Sequence, residues 1–132
     1  MNIDLKNKVI VITGASKGIG SQIAYCAAKE GAKIVINYNT SLNQAKNLLE
    51  KISMFNENCM ICKADVTNKE EVSKLCKTVI STYGKIDILI NNAGICNDNL
   101  CVLMSEKQWQ EVMNTNVNGV FLCSKIISKE MI

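Results

Sequence analysis

The residues best suited to chemistry in this sequence begin with a glycine-rich segment, Thr13-Gly14-Ala15-Ser16-Lys17-Gly18-Ile19-Gly20. It follows an apolar run, residues 9–12, and precedes an alanine-rich pattern with helical spacing. A strand that ends in such a turn and continues as a helix points backbone N–H groups and the positive end of the helix dipole at one place. The glycine spacing is neither the common dinucleotide fingerprint nor a Walker loop. The segment therefore suits a phosphate group, and an ordinary structural turn is the alternative.

Polar residues without an acid follow the second apolar run. That run, residues 33–38, leads into Asn39-Thr40-Ser41. A protein that selects NAD places an Asp or Glu here to bind the ribose 2′-hydroxyl, and such an acid repels the 2′-phosphate of NADP. Its absence favours NADP(H) over NAD(H), with Lys17 as a cation and Asn39 as a hydrogen-bonding partner. The alternative is that these residues only form a turn and a helix cap.

Two further apolar runs also end in polar or small residues. The run at residues 59–64 is followed by Asp65 and Val66, and Asp65 is placed to accept a hydrogen bond from an adenine amino group. A turn acid before a helix is the alternative for Asp65. The run at residues 86–90 is followed by Asn91-Asn92-Ala93-Gly94, which puts hydrogen-bonding groups without bulk beside the same site.

The last helical pattern contains a polar residue on its apolar stripe. Asn116 shares that stripe, and a buried amide is costly unless it is hydrogen-bonded. Asn114, Asn118 and Gly119 around it are poor helix formers. These features predict a locally distorted helix that holds a water or exposes a backbone carbonyl, with a solvated polar notch as the alternative. The apolar stripe consists of Trp109, Val112, Met113, Val117, Val120, Phe121 and Ile127, while Leu122 and Ile126 on another face could pack against a partner subunit.

Four apolar runs alternate with four helical patterns, so the order of elements is β-α-β-α-β-α-β-α. Fully apolar strands with short connections indicate a parallel sheet covered by helices on both faces. Right-handed crossovers and the first Gly-rich turn favour a doubly wound Rossmann-type α/β fold with strand order 3-2-1-4, over one domain, residues 1–132. Capping-box signals at Ser41-x-x-Gln44, Thr67-x-x-Glu70 and Ser105-x-x-Gln108 predict three helix starts.

Composition excludes several function classes. Of the 132 residues, 48% are hydrophobic and 20% charged, and the formal net charge is only +3 with no basic stripe, so no nucleic-acid partner is expected. No apolar segment reads as a signal peptide or membrane span, and the seven scattered cysteines are typical of a cytoplasmic protein. Cys59-x-x-Cys62 lies on a predicted strand with its side chains on opposite faces, so no metal site is expected.

The chain resembles the short-chain dehydrogenase/reductase family over nearly its whole length. The resemblance is carried, in order, by Thr13-Gly14-x-x-x-Gly18-x-Gly20, Asp65, Asn91-Asn92-Ala93-Gly94 and Thr115-Asn116-Val117. Within the family it looks most like the 3-oxoacyl-[acyl-carrier-protein] reductases, on Ile95-Cys96-Asn97-Asp98-Asn99-Leu100 and Met104-Ser105-Glu106-x-x-Trp109.

That resemblance implies an NADPH-dependent reduction of a 3-oxoacyl thioester, or another ketone, to the hydroxyl form. In the family the thioester is linked to acyl carrier protein, the reaction belongs to fatty-acid synthesis, and the enzyme is a homo-oligomer, here expected to assemble through the last helix. Asn116 would be the Asn of the catalytic tetrad and would anchor a water in a proton relay. The residues implied to hold the cofactor are Gly14, Ser16, Lys17, Gly18, Ile19, Gly20, Asn39, Asp65, Val66, Asn91, Ala93 and Gly94.

The sequence departs from the family in its catalytic residues. The family's Ser, Tyr and Lys belong to a fifth strand and the helix after it, which the 132 residues do not include. Tyr25-x-x-x-Lys29 lies on the first predicted helix, away from the site, and no catalytic role is expected for it. We therefore expect the chain to be the N-terminal half of a reductase and to be inactive alone; a non-catalytic dinucleotide-binding or assembly module is the alternative. The fourth strand would be an apolar sheet edge, so the isolated chain should be oligomeric or poorly soluble.

Overall fold

Four short aliphatic strands form one parallel sheet in the computed structural model, which describes residues 3–96 and 98–132. Asn97, part of one segment that carries the family resemblance, lies outside the described residues. The sheet order is β3-β2-β1-β4, as the sequence predicts. The strands are β1 (Val9–Ile12), β2 (Lys33–Tyr38), β3 (Met60–Lys63) and β4 (Ile88–Ile90); the helices are α1 (Gly18–Lys29), α2 (Leu42–Ser53), α3 (Lys69–Tyr83), α4 (Glu106–Met113) and α5 (Gly119–Met131).

The central strand β1 is buried on both faces, which explains its unbroken aliphatic sequence. Val9 and Val11 belong to a core that the sheet shares with α3 and α5. Ile10 and Ile12 belong to a second core that the sheet shares with α1 and α2. The helices therefore cover both faces of the sheet, and the carboxyl ends of its strands are left at one open edge.

Small residues let α1 lie close to the sheet. Its buried positions are Gly20, Ala24, Ala27 and Ala28. Ile19 is expected from its spacing to lie on this inner face, and that expectation is wrong, because its side chain is 76% exposed at the start of the helix. The first turn of α1 is thereby free of any side chain that packs it onto the sheet.

Only one of the three expected capping boxes forms. The Ser105 hydroxyl accepts a hydrogen bond from the Gln108 N–H at 3.1 Å, and the Ser105 N–H donates to Gln108 Oε1 at 2.9 Å. At α3 the N-cap is Asn68, whose side chain accepts from Glu71 N–H at 3.1 Å. At α2, Ser41 is the N-cap but makes no side-chain capping bond.

The last helical stretch is distorted where the sequence predicts it. A π-helical turn, Asn114–Asn118, separates α4 from α5, and the Gly119 N–H reaches back to the Asn114 carbonyl. The expected apolar stripe is not buried over most of its length, because Trp109, Val117, Val120 and Phe121 are all exposed, Trp109 by 54% and Phe121 by 62%. The extra residue of the π turn rotates the face that follows, so the buried face of α5 consists of Gly119, Cys123 and Ile127.

The structure also shows where the side chains of Ile126, Cys59 and Cys62 lie. Ile126, expected on an outward face, is half-buried against the core that α3 and α5 share. Cys59 and Cys62 pack on opposite faces of the sheet, as predicted. In the part of the chain that the structure describes, no helix is both long enough and apolar enough to cross a membrane.

Candidate functional site

A cleft of about 340 Å³ opens at the carboxyl edge of the sheet. Residues that follow all four strands line it, as expected for the switch point of a doubly wound sheet. Eight of the predicted cofactor-binding residues line this cleft: Gly14, Ser16, Lys17, Asn39, Asp65, Val66, Ala93 and Gly94. Gly18, Ile19, Gly20, Asn91 and Asn116 are not part of its lining.

The turn between β1 and α1 contains two glycines with positive φ, Gly14 and Gly18, which differ in what surrounds them. Gly14 has φ +59°, and a Cβ there would lie 2.7 Å from the Ala93 Cα. Gly18 has φ +65°, but a Cβ there would meet nothing within 4 Å among the described residues. The backbone is therefore packed against the loop after β4 at Gly14 and open on its outer side at Gly18.

The Asn37 side chain stabilises this turn through hydrogen bonds, a role that the sequence analysis did not predict. Its side chain is buried, and its Oδ1 accepts a hydrogen bond from Gly14 N–H at 3.1 Å. Its Nδ2 donates to the carbonyls of Cys62 at 3.2 Å and Ala64 at 3.1 Å. One amide thus links the ends of β1, β2 and β3. The available signal was an asparagine inside an aliphatic strand, because a buried amide must find partners.

Thr13 and Asn92 join the turn to the loop after β4. The Thr13 hydroxyl oxygen accepts from the N–H groups of Asn92 and Ala93, both at 3.0 Å. The Asn92 Nδ2 donates to the carbonyls of Thr13 at 3.1 Å and Gly14 at 3.0 Å. A Cβ on Gly20 would overlap this amide, so the close approach of α1 requires that glycine. Of the adjacent asparagines, it is Asn92 that braces the glycine turn.

The N terminus of α1 lies at the edge of the cleft, and its first backbone N–H groups, at the positive end of the helix dipole, have no side-chain cap. Its N-cap, Lys17, has an extended backbone and no side-chain capping bond, and no acidic residue lies in the first turn. α2 is likewise without a side-chain cap or a first-turn acid, whereas α3 and α4 each have a side-chain cap and a first-turn glutamate. The leading N–H groups of a helix have no intrahelical acceptor. With Lys17 as its N-cap, the N terminus of α1 has the features of an anion-binding helix end.

Asp65 forms the helix-preceding turn that was the alternative to a role in adenine binding, and it also lines the cleft. Its Oδ1 accepts from the N–H of Thr67 at 2.9 Å and from the Thr67 hydroxyl at 2.7 Å, which forms the turn before α3. The same carboxylate lines the cleft. Val66, the next residue, lies against Gly119, where a Cβ would come within 2.7 Å of Val66 Cγ2. The turn at Asp65 and Val66 therefore lines the cleft on one side and packs against the start of α5 on the other.

Asn116 does not occupy the buried position that its place on the apolar stripe predicts. It is exposed, and both ends of its amide bind the backbone of Ile95: Oδ1 accepts from the N–H at 2.8 Å and Nδ2 donates to the carbonyl at 2.9 Å. The π turn presents the side chain to the loop after β4 instead of to the core. Asn116 thereby fixes the backbone that follows Gly94 at the rim of the cleft.

Asn91 lies on the far side of that loop. Its Nδ2 donates to the Ser124 hydroxyl on α5 at 3.1 Å. Cys96, farther along the loop, donates its thiol hydrogen to Asp98 Oδ1 at 3.0 Å, and this hydrogen bond to a carboxylate raises the pKa of the thiol. This hydrogen bond therefore disfavours the thiolate, which is the nucleophilic form of cysteine.

The Tyr25-x-x-x-Lys29 pair forms a structural contact on α1. The Lys29 ammonium lies 4.9 Å from the centre of the Tyr25 ring, which packs edge-on against Phe55. Neither residue lines the cleft. Tyr38 does line it, but Leu42 stands four residues later where a Tyr-x-x-x-Lys pair would need a lysine.

Comparison with known proteins places these features in a family context. A sequence model of short chain dehydrogenases matches residues 8–132. A 3-oxoacyl-[acyl-carrier-protein] reductase FabG from Staphylococcus epidermidis is 39% identical over 126 residues, which are 96% of this chain and 52% of that protein. A 3-oxoacyl-[acyl-carrier-protein] reductase from Synechocystis sp. is 40% identical over 128 residues, 97% of this chain and 52% of that one.

A solved structure agrees with the fold. A mutant short-chain dehydrogenase/reductase from Serratia marcescens superposes with a TM-score of 0.92 at 26% identity, covering 98% of this chain and 53% of that one. The chain spans about half the length of the curated relatives that it matches.

Proposed function

The chain belongs to the short-chain dehydrogenase family, and from that premise we propose that its cleft binds a nicotinamide dinucleotide, with NADP(H) favoured over NAD(H). The observation that carries this proposal is the acid-free, uncapped N terminus of α1 with Lys17 at its start. Lys17 lines the same cleft as Asn39, Thr40 and Ser41, the acid-free segment after β2. A phosphate at this place meets N–H donors and an ammonium and meets no carboxylate from that segment.

The residues present fit such a cofactor. At Gly18 the positive φ and the open outer side let a phosphate approach the backbone. We assign the pyrophosphate to the segment from Gly14 to Gly20 with Ser16 and Ile19, and the 2′-phosphate to Lys17 and Asn39. The adenine is assigned to Asp65 and Val66, and the riboses and nicotinamide to Asn91, Ala93 and Gly94. When bound, the nicotinamide supplies a hydride.

The proposed reaction of the whole protein is the reduction of a 3-oxoacyl thioester to the 3-hydroxyacyl thioester. Support comes from the relatives, which are named as reductases of 3-oxoacyl groups on acyl carrier protein. The contribution of this chain is to hold the cofactor and shape one wall of the site. Asn116 keeps the Ile95 backbone in place beside Gly94, and its part in a water-mediated proton relay stays a prediction.

Within this proposal the 132 residues bind the nicotinamide cofactor but do not turn over a substrate. The only Tyr-x-x-x-Lys pair among them is engaged on α1, outside the cleft. A non-catalytic dinucleotide-binding or assembly module is the second candidate, and the same observation favours it. The two candidates differ in whether a protein that continues past these residues with a Ser and a Tyr-x-x-x-Lys carries the reaction.

Calorimetric titration with NADPH and NADH tests the cofactor. We expect NADPH to bind at least tenfold more tightly, about 1.4 kcal/mol, because it alone has a 2′-phosphate for Lys17 to bind. Lys17→Ala should remove most of that difference and weaken NADH binding by less, since NADH meets this lysine only through its pyrophosphate. Lys46→Ala, on the exposed side of α2, is the matched control and should retain it. Equal affinities for the two cofactors would contradict the NADP(H) assignment.

Turnover is measured separately, by loss of nicotinamide absorbance with an acetoacetyl thioester. We expect none from the 132 residues even where NADPH binds. Turnover would show that another group serves as proton donor, and it would exclude the non-catalytic module.

A further inference from the structure

Thr115 lines the cofactor cleft, yet it belongs neither to the proposed cofactor contacts nor to the side chains that brace the cleft. It lies on the π turn, Asn114–Asn118, between α4 and α5, and it is half-buried. Of the residues of that turn, it alone is part of the cleft lining that the structure describes. The π turn thus adds one side chain, which carries a hydroxyl, to the wall of the cleft.

Thr115 lies between two parts of the cleft that the proposed function assigns to the cofactor. Four residues further along the helical stretch, Gly119 packs on Val66, since a Cβ there would lie 2.7 Å from Val66 Cγ2. The residue after Thr115, Asn116, reaches Gly94, where a Cβ would lie 3.2 Å from the Asn116 Oδ1. Val66 belongs to the proposed adenine contacts and Gly94 to those of the riboses and nicotinamide. The part of the cofactor that spans these two contacts is the adenosine, with its base at one and its ribose towards the other.

The Thr115 hydroxyl is uncommitted, unlike those of the two threonines on α3. Thr78 and Thr82 each donate to the carbonyl four residues earlier, both at 2.9 Å, a common arrangement for a threonine in a helix. The three asparagines of the π turn are also hydrogen-bonded, two to each other and one to the Ile95 backbone. Within residues 3–96 and 98–132 the Thr115 hydroxyl makes neither kind of bond. It is therefore available to a ligand in the cleft.

We propose that the Thr115 hydroxyl hydrogen-bonds to the adenosine half of the bound dinucleotide, an inference that rests on the proposed function and adds a specific contact to it. Adenosine has acceptors in its ring nitrogens and ribose oxygens and a donor in its amino group, and a hydroxyl can pair with either kind. A ligand that fills the cleft displaces water from a half-buried side chain, and a polar group that loses water without gaining a partner is costly. The bound adenosine thus provides the partner that the described residues do not.

Calorimetric titrations with NADPH and with 2′-phospho-ADP-ribose, which lacks the nicotinamide, test this contact. Thr115→Val keeps the shape of the side chain and removes the hydroxyl, so it should weaken the binding of both ligands equally, by about three- to tenfold, the usual contribution of one hydrogen bond. Thr115→Ser keeps the hydroxyl and should bind both ligands within about twofold of the unchanged chain. Thr78→Val is the matched control and should retain full affinity, because Thr78 is half-buried on α3 and outside the cleft lining.

The outcomes separate this contact from the proposed function. Full affinity in Thr115→Val, while the unchanged chain binds both ligands, would overturn the contact and leave the proposed function intact. A loss confined to NADPH would place the hydroxyl on the nicotinamide half and would overturn it too. So would a loss that serine does not recover and that comes with a lower free energy of unfolding in urea, because that pattern indicates a structural role. Failure of the unchanged chain to bind either ligand would contradict the proposed function and the contact together.

Discussion

Gly14 and Gly18 share a left-handed backbone but differ in what surrounds them. At Gly14 the loop after β4 occupies the space of a side chain, whereas at Gly18 that space is open. The backbone conformation alone costs an L-residue roughly 1–2 kcal/mol. At Gly14 a steric overlap with Ala93 adds to that cost. The first glycine is thus required by the fold, and the second leaves room for a ligand.

This difference predicts that alanine at Gly14 and alanine at Gly18 affect stability and NADPH affinity to different extents. Gly14→Ala should lower the free energy of unfolding by about 3 kcal/mol or more, because strain and overlap add. Gly18→Ala should lower it by only about 1–2 kcal/mol yet weaken NADPH binding at least tenfold, since its methyl group enters the space proposed for the pyrophosphate. Urea unfolding and calorimetric titration measure the two quantities. Equal stability losses, or full affinity in Gly18→Ala, would contradict this reading.

Asparagine is the residue type that assembles the site. Asn37 and Asn116 bind backbone groups of other elements with both ends of the amide, and Asn92 donates its Nδ2 to the carbonyls of Thr13 and Gly14. A carboxylate of the same shape accepts but cannot donate, and a leucine can do neither. The loops that line the cleft are therefore held by side chains that bind main chain, which leaves other main-chain donors free for a ligand.

Among the elements, the α4–α5 stretch shows how a local irregularity serves the site. The π turn brings Asn116 to Ile95 and, immediately afterwards, seats Gly119 on Val66. The distortion thus couples the cleft rim to the packing of α5.

Gly119 and Val66 provide a direct test of this packing. In an exposed helix Gly→Ala stabilises by about 1 kcal/mol, but the overlap with Val66 Cγ2 should make Gly119→Ala destabilising by about 1–3 kcal/mol. In a Val66→Ala background the overlapping atom is gone, and Gly119→Ala should be neutral or stabilising. A double-mutant cycle by urea unfolding gives the coupling. Additive effects would show that α5 is not seated here.

For the whole molecule, the notable feature is apolar surface that this chain does not cover. Within the described residues β4 pairs only with β1, so its other edge is open. Trp109, Val117 and Phe121, on α4 and the stretch that follows, are each at least half exposed. Open edges and large apolar patches favour association.

We therefore predict that the 132 residues associate in solution. Size-exclusion chromatography with light scattering should show oligomers or loss of material, not a monodisperse monomer. Phe121→Glu should shift the distribution towards monomer if the helical surface carries the contact. Ile3→Glu, at a still more exposed position near the start of the chain, is the control and should not. A monomer at high concentration would contradict the prediction.

The sequence by itself determined the order of elements, the strand order and the edge of the sheet that carries the site. It could do so because buried parallel strands demand continuous aliphatic runs, and because glycine and polar residues at strand ends mark one edge. The distorted helix around Asn116 was also predictable, since three poor helix formers interrupt one pattern.

Only the tertiary structure decided which side chains brace the cleft and which line it. Asn37, Asn91, Asn92 and Asn116 look alike as polar residues near strand ends or on a helix, yet one is buried under the glycine turn, one pairs with Ser124, one spans two carbonyls and one holds Ile95. Their roles depend on backbone groups distant in sequence. The exposure of Ile19 and Phe121 could not be predicted for a similar reason. Spacing along a helix does not reveal which face another element covers.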